Sequence, residues 1–303
     1  MEKILVTGAS GFIGGYLLKA FQKKEMDYLA LDSKAISDIP TEKQVSLSLL
    51  DADKVDGVVK TYTPNTIIHL AAVASVTHEN VGEIYNVNVC GTDNLLTAAQ
   101  KYCPKDTRVI LISTAGVYGN QNVDIYNEST PYNPANHYSY SKMITEYLSN
   151  QYKDDLEIII VRPFNIIGAG QKDNFLIPKL VKHFAYREKS IQVGNIASFR
   201  DYINVEYCVN VLTELVIRKE IPFEFLNICS GIPYSGEMVI HLLTEITGYH
   251  PQIVVNPKFV RKNEVWKMVG DPELLLSFMH GQKSKPMYNV LSEMLEYYDN
   301  QNS

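Results

Sequence analysis

Three side chains of this sequence could together transfer a proton to or from a substrate and bind its carbonyl oxygen. Tyr138 and Lys142 are four residues apart in a segment of helical period, so their side chains share one face. An ammonium group close to a phenol stabilises the phenolate, which lowers the tyrosine pKa from its usual value near 10. Thr114 follows a predicted strand and can donate a hydrogen bond to the substrate oxygen with which Tyr138 exchanges a proton. Because the chain has 20 tyrosines and an isolated Tyr-x-x-x-Lys pair is usually a solvated surface pair, further motifs are needed to assign a function.

A glycine-rich loop follows the first predicted strand directly and opens an amphipathic helix. Gly8, Gly11 and Gly14 are needed where a Cβ would clash with the backbone or with an approaching diphosphate, and the helix start offers free N–H groups to the anion. Asp32 ends the next predicted strand, where a carboxylate can bind an adenosine ribose and repel a 2′-phosphate. The sequence therefore predicts a dinucleotide site that favours NAD(H), while the neighbouring Lys34 leaves NADP(H) possible.

The elements that must position these residues alternate regularly through the first half of the chain. Predicted strands lie at 4–6, 28–31, 67–70, 109–112 and 158–161, and predicted helices include 81–100 and 138–152. This alternation predicts an α/β fold, a Rossmann-like doubly wound parallel sheet. After Pro163 the pattern is irregular, with predicted helices at 178–186, 205–218, 237–247 and 287–297. We expect a dinucleotide-binding domain at 1–165, to which part of 200–229 returns through a strand at 225–229, and a smaller mixed α/β substrate-binding lobe at 166–303.

Composition excludes several classes of protein. The 303 residues are 46% hydrophobic, and 28 Lys and Arg against 34 Asp and Glu give a net charge of −6. This profile is globular, and its acidic balance argues against nucleic acid or a membrane as a partner. The four cysteines indicate neither a metal site nor a disulfide framework. Without a secretory segment or a long apolar run, we expect a cytoplasmic protein with no spanning helix.

Five motifs in order resemble the extended short-chain dehydrogenase/reductase family, the nucleotide-sugar epimerases, dehydratases and reductases. They are the glycine loop, His69-Leu70-Ala71-Ala72, Asn88-Val89-Cys90-Gly91-Thr92, Ser113-Thr114-Ala115-Gly116-Val117-Tyr118-Gly119 and Tyr138-Ser139-Tyr140-Ser141-Lys142. The resemblance implies that Tyr138 is the general acid or base. It also implies that Lys142 holds the Tyr138 pKa down and binds the nicotinamide ribose, and that Thr114 orients the substrate oxygen.

The same resemblance implies the cofactor contacts. These residues are Gly8, Ser10, Gly11, Phe12, Ile13, Gly14, Asp32, Ser33, Ser48, Leu49, Leu70, Ala71, Ala72, Asn88, Ile112, Tyr138, Lys142 and Pro163. Ser48 and Leu49 stand where family members commonly carry an Asp that contacts adenine. A structural role for Asn88 is as well supported as a role in holding the lysine, and His69 is given no catalytic role.

The second half of the chain narrows the substrate. Residues 162–175, 193–195, 200–201 and 227–231 look most like the GDP-6-deoxy-4-keto-mannose reductases. That resemblance implies a GDP-linked sugar and a set of substrate contacts: Ser75, Thr114, Asn165, Phe175, Lys179, Val193, Arg200, Arg261 and Glu264. Asn165 and the two arginines would contact the diphosphate, for which a guanidinium fork is suited, and Glu264 a ribose hydroxyl.

Three other activities compete with the reductase. A 4,6-dehydratase needs an additional acid and base after Thr114, and neither Ala115 nor Gly116 can titrate, which argues against it. A nucleotide-sugar 4-epimerase with bound NAD uses the same threonine, tyrosine and lysine and stays open. A non-catalytic dinucleotide sensor or scaffold would have no chemical need for all three. By resemblance we also expect a homodimer through a four-helix interface formed by the helices at 81–100 and 138–152.

Overall fold

The computed structural model describes residues 2–74, 80–260 and 265–301. Its strands are β1 Lys3–Thr7, β2 Asp27–Asp32, β3 Gln44–Ser46, β4 Thr66–His69, β5 Thr107–Ile112, β6 Leu156–Pro163, β7 Asn165–Ile167, β8 Ser190–Val193, β9 Phe199–Asn204, β10 Phe225–Ile228, β11 Pro233–Ser235, β12 Gln252–Val255 and β13 Lys267–Met268. Its α-helices are α1 Phe12–Lys23, α2 Ala52–Tyr62, α3 Val81–Tyr85, α4 Gly91–Tyr102, α5 His137–Ser149, α6 Leu176–Ala185, α7 Val205–Ile217, α8 Gly236–Thr247, α9 Glu273–Phe278 and α10 Met287–Gln301.

The chain divides into two compact units. The first unit comprises Met1–Gly119, Pro131–Pro163 and Val209–Leu226, and the second comprises Asn120–Thr130, Phe164–Cys208 and Asn227–Ser303. Residues 120–130 therefore group with the second unit, and of the segment 200–229 only Val209–Leu226 returns to the first.

A seven-stranded sheet in the order β10-β6-β5-β4-β1-β2-β3 confirms the predicted α/β fold. The registered pairs from β3 to β6 are all parallel. The order reverses at β1, which lies between β2 and β4, with Thr7 opposite His69. In open parallel sheets the ligand crevice opens beyond the carboxyl ends of the strands at such a reversal. The loops that follow β1 and β4 are thus in the position that a dinucleotide requires.

Both faces of this sheet are covered. Leu5, Ile67 and Val109 belong to one buried cluster with Val59 of α2 and Leu95 of α4. Because successive side chains of a strand point to opposite faces, the next residues along the strands face the other way. Those residues are fully buried as well: Ile4, Val6, Ile68 and Ile110. Near-continuous apolar strands of this kind are what a sheet covered on two faces needs.

The predicted helix at 81–100 is interrupted in the structure. Between α3 and α4 the chain forms one π-helical segment, Asn86–Cys90. Isolated π turns of this kind commonly occur at functional sites. Here the segment carries Asn88, whose side chain is buried.

The second unit has smaller sheets and a helical core of its own. β9 pairs with β11, β13 and β7, and β12 pairs with β8. Leu180 of α6, Val239 of α8 and Leu291 of α10 meet in one buried cluster. No helix among the residues described is both long and apolar enough to cross a membrane.

Candidate active site

The glycine loop packs so tightly that side chains are excluded from it. Gly8 has φ 67°, and a Cβ there would lie 2.5 Å from the Ala71 nitrogen. A Cβ on Gly14 would lie 2.6 Å from the Ala9 oxygen. Gly11 is the N-cap residue of α1, whose first residues, Phe12 and Ile13, are half-buried. The loop thus forms a backbone cradle at the start of a 12-residue helix, where N–H groups and the helix dipole favour a diphosphate.

Asp32 lies directly beside this cradle. Its carboxylate accepts a hydrogen bond from the Ser10 N–H at 2.9 Å and another from the Lys34 N–H at 3.3 Å. The Ser33 hydroxyl is 3.5 Å from the same carboxylate. The cradle and the adjacent carboxylate together fit the diphosphate and adenosine ribose of a nicotinamide dinucleotide.

The remaining cofactor candidates of the first unit differ in exposure. Leu70, Ala71 and Ala72 follow β4 and are half-buried, and Pro163, the last residue of β6, is buried. Ser48 is exposed, and its hydroxyl accepts a hydrogen bond from the Leu50 N–H at 3.2 Å. The Leu49 side chain belongs to the buried cluster of the sheet.

The Tyr138 phenol lies within hydrogen-bonding range of the Thr114 side chain. Thr114 ends the segment after β5, where its Oγ1 accepts from the Gly116 N–H at 3.1 Å. Burial raises the pKa of the Tyr138 phenol to about 12, and a hydrogen bond with the Thr114 side chain partly opposes the rise. The predicted lowering of this pKa is therefore wrong for the folded chain, because desolvation of the phenolate outweighs the stabilising contacts.

Lys142 lies one helical turn after Tyr138 on α5 and is 2% exposed. Its ammonium donates to the backbone oxygen of Ile112 at 2.7 Å. Burial lowers the Lys142 pKa to about 8, and the Glu146 carboxylate opposes that decrease. The ammonium is therefore largely charged at neutral pH, although burial destabilises its charged form.

His69 links β1, β4 and α4 through buried hydroxyl groups. The Thr7 hydroxyl lies 2.7 Å from Nδ1, and the Thr92 hydroxyl lies 2.8 Å from Nε2. Thr92 donates its proton to the Asn88 carbonyl at 2.5 Å, so Nε2 must carry the histidine proton and Nδ1 must accept from Thr7. Burial lowers the His69 pKa to about 3, so the ring is neutral and acts as a structural link.

Asn88 connects the loop after β4 with α5. Its Oδ1 accepts from the Val73 N–H at 2.7 Å, and its Nδ2 donates to the Ser141 hydroxyl at 2.9 Å. Ser141 precedes Lys142 in α5. Asn88 therefore fixes the position of this helix beside the strand ends.

The sequence reasoning missed a buried ion pair in the first unit. Glu146 and Arg162 are 2.6 Å apart, with Ser113 and Tyr132 bonded to the same carboxylate. Arg162 opened a segment that resemblance singled out, and Glu146 lies one turn beyond Lys142. Those two positions were the available signal.

The predicted substrate residues that the structure describes, apart from Thr114, belong to the second unit. Asn165 donates to the Asp201 backbone oxygen at 3.0 Å, and one Arg200 nitrogen donates to the Phe199 oxygen at 2.8 Å. The Asp201 carboxylate in turn accepts from the Ser230 N–H at 2.8 Å. These contacts hold the β7 and β9 edges that carry Asn165 and Arg200.

A second group lies around α6 and β8. The Lys179 ammonium donates to the Gln192 oxygen at 2.6 Å and lies 4.5 Å from the centroid of the Phe259 ring. Phe175 is 44% exposed, whereas the Val193 side chain is buried in the core of the second unit. The predicted contacts Ser75, Arg261 and Glu264 lie outside the described residues.

Comparison with known proteins adds to this geometry. A profile of the NAD dependent epimerase/dehydratase family matches residues 4–229. The GDP-6-deoxy-D-talose 4-dehydrogenase of Aggregatibacter actinomycetemcomitans is 38% identical over 277 residues, which cover 91% of each chain. The GDP-6-deoxy-D-mannose reductase of Pseudomonas aeruginosa is 29% identical over 89% of this chain and 88% of its own.

A solved structure agrees with these relatives. RMD from Pseudomonas aeruginosa, complexed with NADPH, superposes with a TM-score of 0.85 at 25% identity, over 99% of this chain and all of the other. The family profile covers the cradle, Thr114, Tyr138 and Lys142. The chain therefore belongs to the NAD-dependent epimerase/dehydratase family.

Proposed function

We propose that this protein is an NAD(P)H-dependent reductase of a nucleotide-linked 4-keto-6-deoxy sugar, with GDP-4-keto-6-deoxy-mannose as its substrate. The observation that carries the proposal is that Tyr138 lies within hydrogen-bonding range of Thr114 and one turn from the buried Lys142, in the unit that also holds the glycine cradle.

The names of the two relatives indicate that their reactions involve the same 4-keto sugar. Talose and mannose differ only in their configuration at C4. Oxidation of C4 in either 6-deoxy sugar therefore gives the same 4-keto compound. A 4-dehydrogenase for the talose sugar and a reductase that forms the mannose sugar thus share that compound. Reduction of it by this chain would give one of these two C4 epimers.

The protonation states suit reduction. The nicotinamide cofactor, when bound, supplies the hydride. With a pKa of about 12, Tyr138 carries its proton at neutral pH and can give it to the carbonyl oxygen as that oxygen becomes a hydroxyl. Thr114 orients the same oxygen, and the Lys142 charge stabilises the phenolate that remains. Proton and hydride together convert the ketone to the alcohol.

The two residues after Thr114 offer neither an acid nor a base for dehydration. Ala115 is buried, and a Cβ on Gly116 would lie 2.5 Å from the Ser139 hydroxyl oxygen. A titrating side chain therefore needs a rearrangement there, which supports the argument against a dehydratase.

A nucleotide-sugar 4-epimerase with bound NAD is the second candidate. Asp32 favours it, because its carboxylate beside the cradle suits NAD and repels a 2′-phosphate. The same contact leads us to propose NAD(H) as the preferred cofactor. Binding of NADH and NADPH to the wild type and to Asp32→Ser, followed by nicotinamide fluorescence, tests this. Equal affinity of the wild type for both cofactors contradicts the preference.

The activity is tested by mixing the protein with GDP-4-keto-6-deoxy-mannose and NADH or NADPH and following the absorbance of the reduced nicotinamide. We expect oxidation of the cofactor, and proton NMR of the product then assigns the C4 configuration. Absence of oxidation with GDP-, dTDP-, UDP- and CDP-linked keto sugars would refute the reductase. Interconversion of two C4 epimers without added cofactor would establish the epimerase.

We also propose a homodimer through the helices α3 to α5. Tyr140 and Tyr147 lie seven residues apart on α5 and are 43% and 56% exposed. Seven residues make about two helical turns, so the two rings lie on one face. Sedimentation equilibrium of the wild type and of the variant in which both are replaced by Ser tests this. A monomeric wild type contradicts the proposal.

A further inference from the structure

A buried ion pair lies behind the proposed catalytic residues. The side chains of Arg162 and Glu146 are 2% and 0% exposed. Arg162 Nη2 is 2.6 Å from Glu146 Oε2, and Arg162 Nε lies 3.2 Å from both carboxylate oxygens. The guanidinium also lies 4.4 Å from the ring centroid of Phe225 and 5.1 Å from those of Tyr118 and Tyr132. Both charges are therefore held in one geometry by bonds and by aromatic faces.

The two residues of this pair form hydrogen bonds with the chain on both sides of Thr114. The Ser113 hydroxyl donates to Glu146 Oε1, and Arg162 Nη1 donates to the Tyr118 hydroxyl at 2.9 Å. Ser113 immediately precedes Thr114, and Tyr118 ends the short 3-10 helix that Thr114 caps. The loop that aims the threonine is thus anchored at its two ends.

The same pair reaches the helix that carries the other two groups. Glu146 lies one turn beyond Lys142 and two turns beyond Tyr138 on α5. One carboxylate therefore connects the end of β5, β6 through Arg162, and α5. Through Ser113 it ties the segment that carries Thr114 to the helix that carries Tyr138.

Among the residues that the structure describes, few charges act on Lys142. Glu146 lies one turn after it on α5 and opposes the lowering of its pKa, and Tyr138 lies one turn before it. The neutral His69 of β4 is close enough for the Lys142 charge to act on it, and β5 contributes the Ile112 oxygen. Arg162 of β6 is engaged with Glu146. Within the described part of the chain, Glu146 is therefore the negative charge that acts on the ammonium.

Stability alone does not account for this arrangement. Desolvating two charges is costly, and a buried ion pair replaced by well-packed apolar side chains is often neutral or stabilising. A core of this kind could have been filled without charges. The bonds to Ser113 and Tyr118 and the charge beside Lys142 are what an apolar replacement would not supply.

We propose that Glu146 and Arg162 are positioning residues that lock the Thr114 loop to α5, and that Glu146 also keeps Lys142 charged. This rests on the proposed function, because it assigns the pair to the reaction of Thr114, Tyr138 and Lys142. Both side chains are buried, so we assign them a positioning role and not a contact with the substrate.

The positional part is tested with Ser113→Ala, which removes one bond to Glu146 and no charge. We expect kcat to fall about tenfold, because small misplacements in an active site cost that much or more. We expect KM for the sugar to change less than threefold and the Lys142 titration to stay unchanged. Full kcat in this variant overturns the positional role.

The charge part is tested with Glu146→Gln and with the double variant Glu146→Gln/Arg162→Met, which removes both charges of the ion pair. The Lys142 titration is measured by NMR on protein labelled at lysine Cε, without any sugar. We expect the pKa of Lys142 to fall by about one pH unit in Glu146→Gln, with the alkaline limb of the kcat profile moving equally. In the double variant the pKa falls less, because loss of the guanidinium charge offsets part of the loss of the carboxylate charge. Glu157→Gln, which breaks the Arg108 pair on the same sheet, is the control and leaves both unchanged.

Outcomes separate the two proposals. If the double variant regains wild-type thermal stability together with wild-type kcat, and Glu146→Gln leaves the Lys142 titration unchanged, the pair is only structural and the inference fails. If the wild type reduces no keto sugar, the proposed function fails, and the NMR titration still decides the charge part. If the double variant does not fold, the Glu146→Gln titration and the Ser113→Ala kinetics decide.

Discussion

Replacing Lys142 by Met is expected to make the protein more stable and inactive. The Lys142 pKa is lowered from its usual 10.5 to about 8. Each pKa unit corresponds to about 1.4 kcal/mol, so the folded chain bears a cost of about 3 kcal/mol for the charged ammonium at neutral pH. The hydrogen bond to the Ile112 oxygen, worth about 1 kcal/mol, is lost in the variant. Methionine has a similar shape, and a net gain of about 2 kcal/mol remains.

The gain depends on pH in a defined direction. The folded-state pKa lies below the unfolded value, so between pH 8 and 10.5 the unfolded chain binds more protons than the native chain. Wild-type stability therefore rises across that window, and the advantage of Lys142→Met is full below pH 8 and disappears towards pH 10.5. For a chain of this length the gain corresponds to about 3 °C in Tm at neutral pH.

Denaturant unfolding at several pH values, together with calorimetric Tm, measures this difference. Lys101→Met is the matched control, because Lys101 is an exposed lysine paired with Asp56 and its replacement is expected to give no increase. A Lys142→Met protein that is less stable than the wild type at pH 7 would refute the reasoning. So would a difference that stays constant between pH 7 and 10.

Three further changes are predicted. Tyr138→Phe should lower kcat by about three orders of magnitude while the protein still binds NADH, because the proton path is removed and the cradle is intact; near-full activity in stopped assays would place the active site elsewhere. Gly8→Ala should destabilise the fold by at least about 2 kcal/mol and weaken NADH binding measured by fluorescence, because the new Cβ would lie 2.5 Å from Ala71. Gly15→Ala meets nothing within 4 Å and is the control; it should not destabilise the fold, because alanine is favoured over glycine within α1. The His69 pKa is lowered from 6.5 to about 3, so the unfolded chain binds more protons than the native chain between these pH values. Stability is therefore lost as the pH falls through this window, by up to about 5 kcal/mol. His69→Gln should flatten this acid limb of the unfolding free energy, and an unchanged slope would contradict the assignment.

The sequence alone determined what local periodicity and spacing can specify. Alternating apolar strands and helical patterns predicted the parallel sheet, because each element buries a face whose period can be counted. The spacing of Gly8, Gly11 and Gly14 after a strand predicted the turn into α1, which the fold contains. The four-residue separation of Tyr138 and Lys142 placed them on one face of α5.

Tertiary structure decided what depends on residues that are distant in the chain. Glu146 is 33 residues from Ser113 and 16 from Arg162, and the three meet only when β5, β6 and α5 pack together. Desolvation set the direction of the pKa of Tyr138, because the burial of a side chain is a property of the fold and not of its neighbours in sequence. Spacing in the sequence could therefore place Tyr138 and Lys142 on one helix face. Their charge states could not be predicted from spacing, because they depend on how deeply the fold buries each side chain.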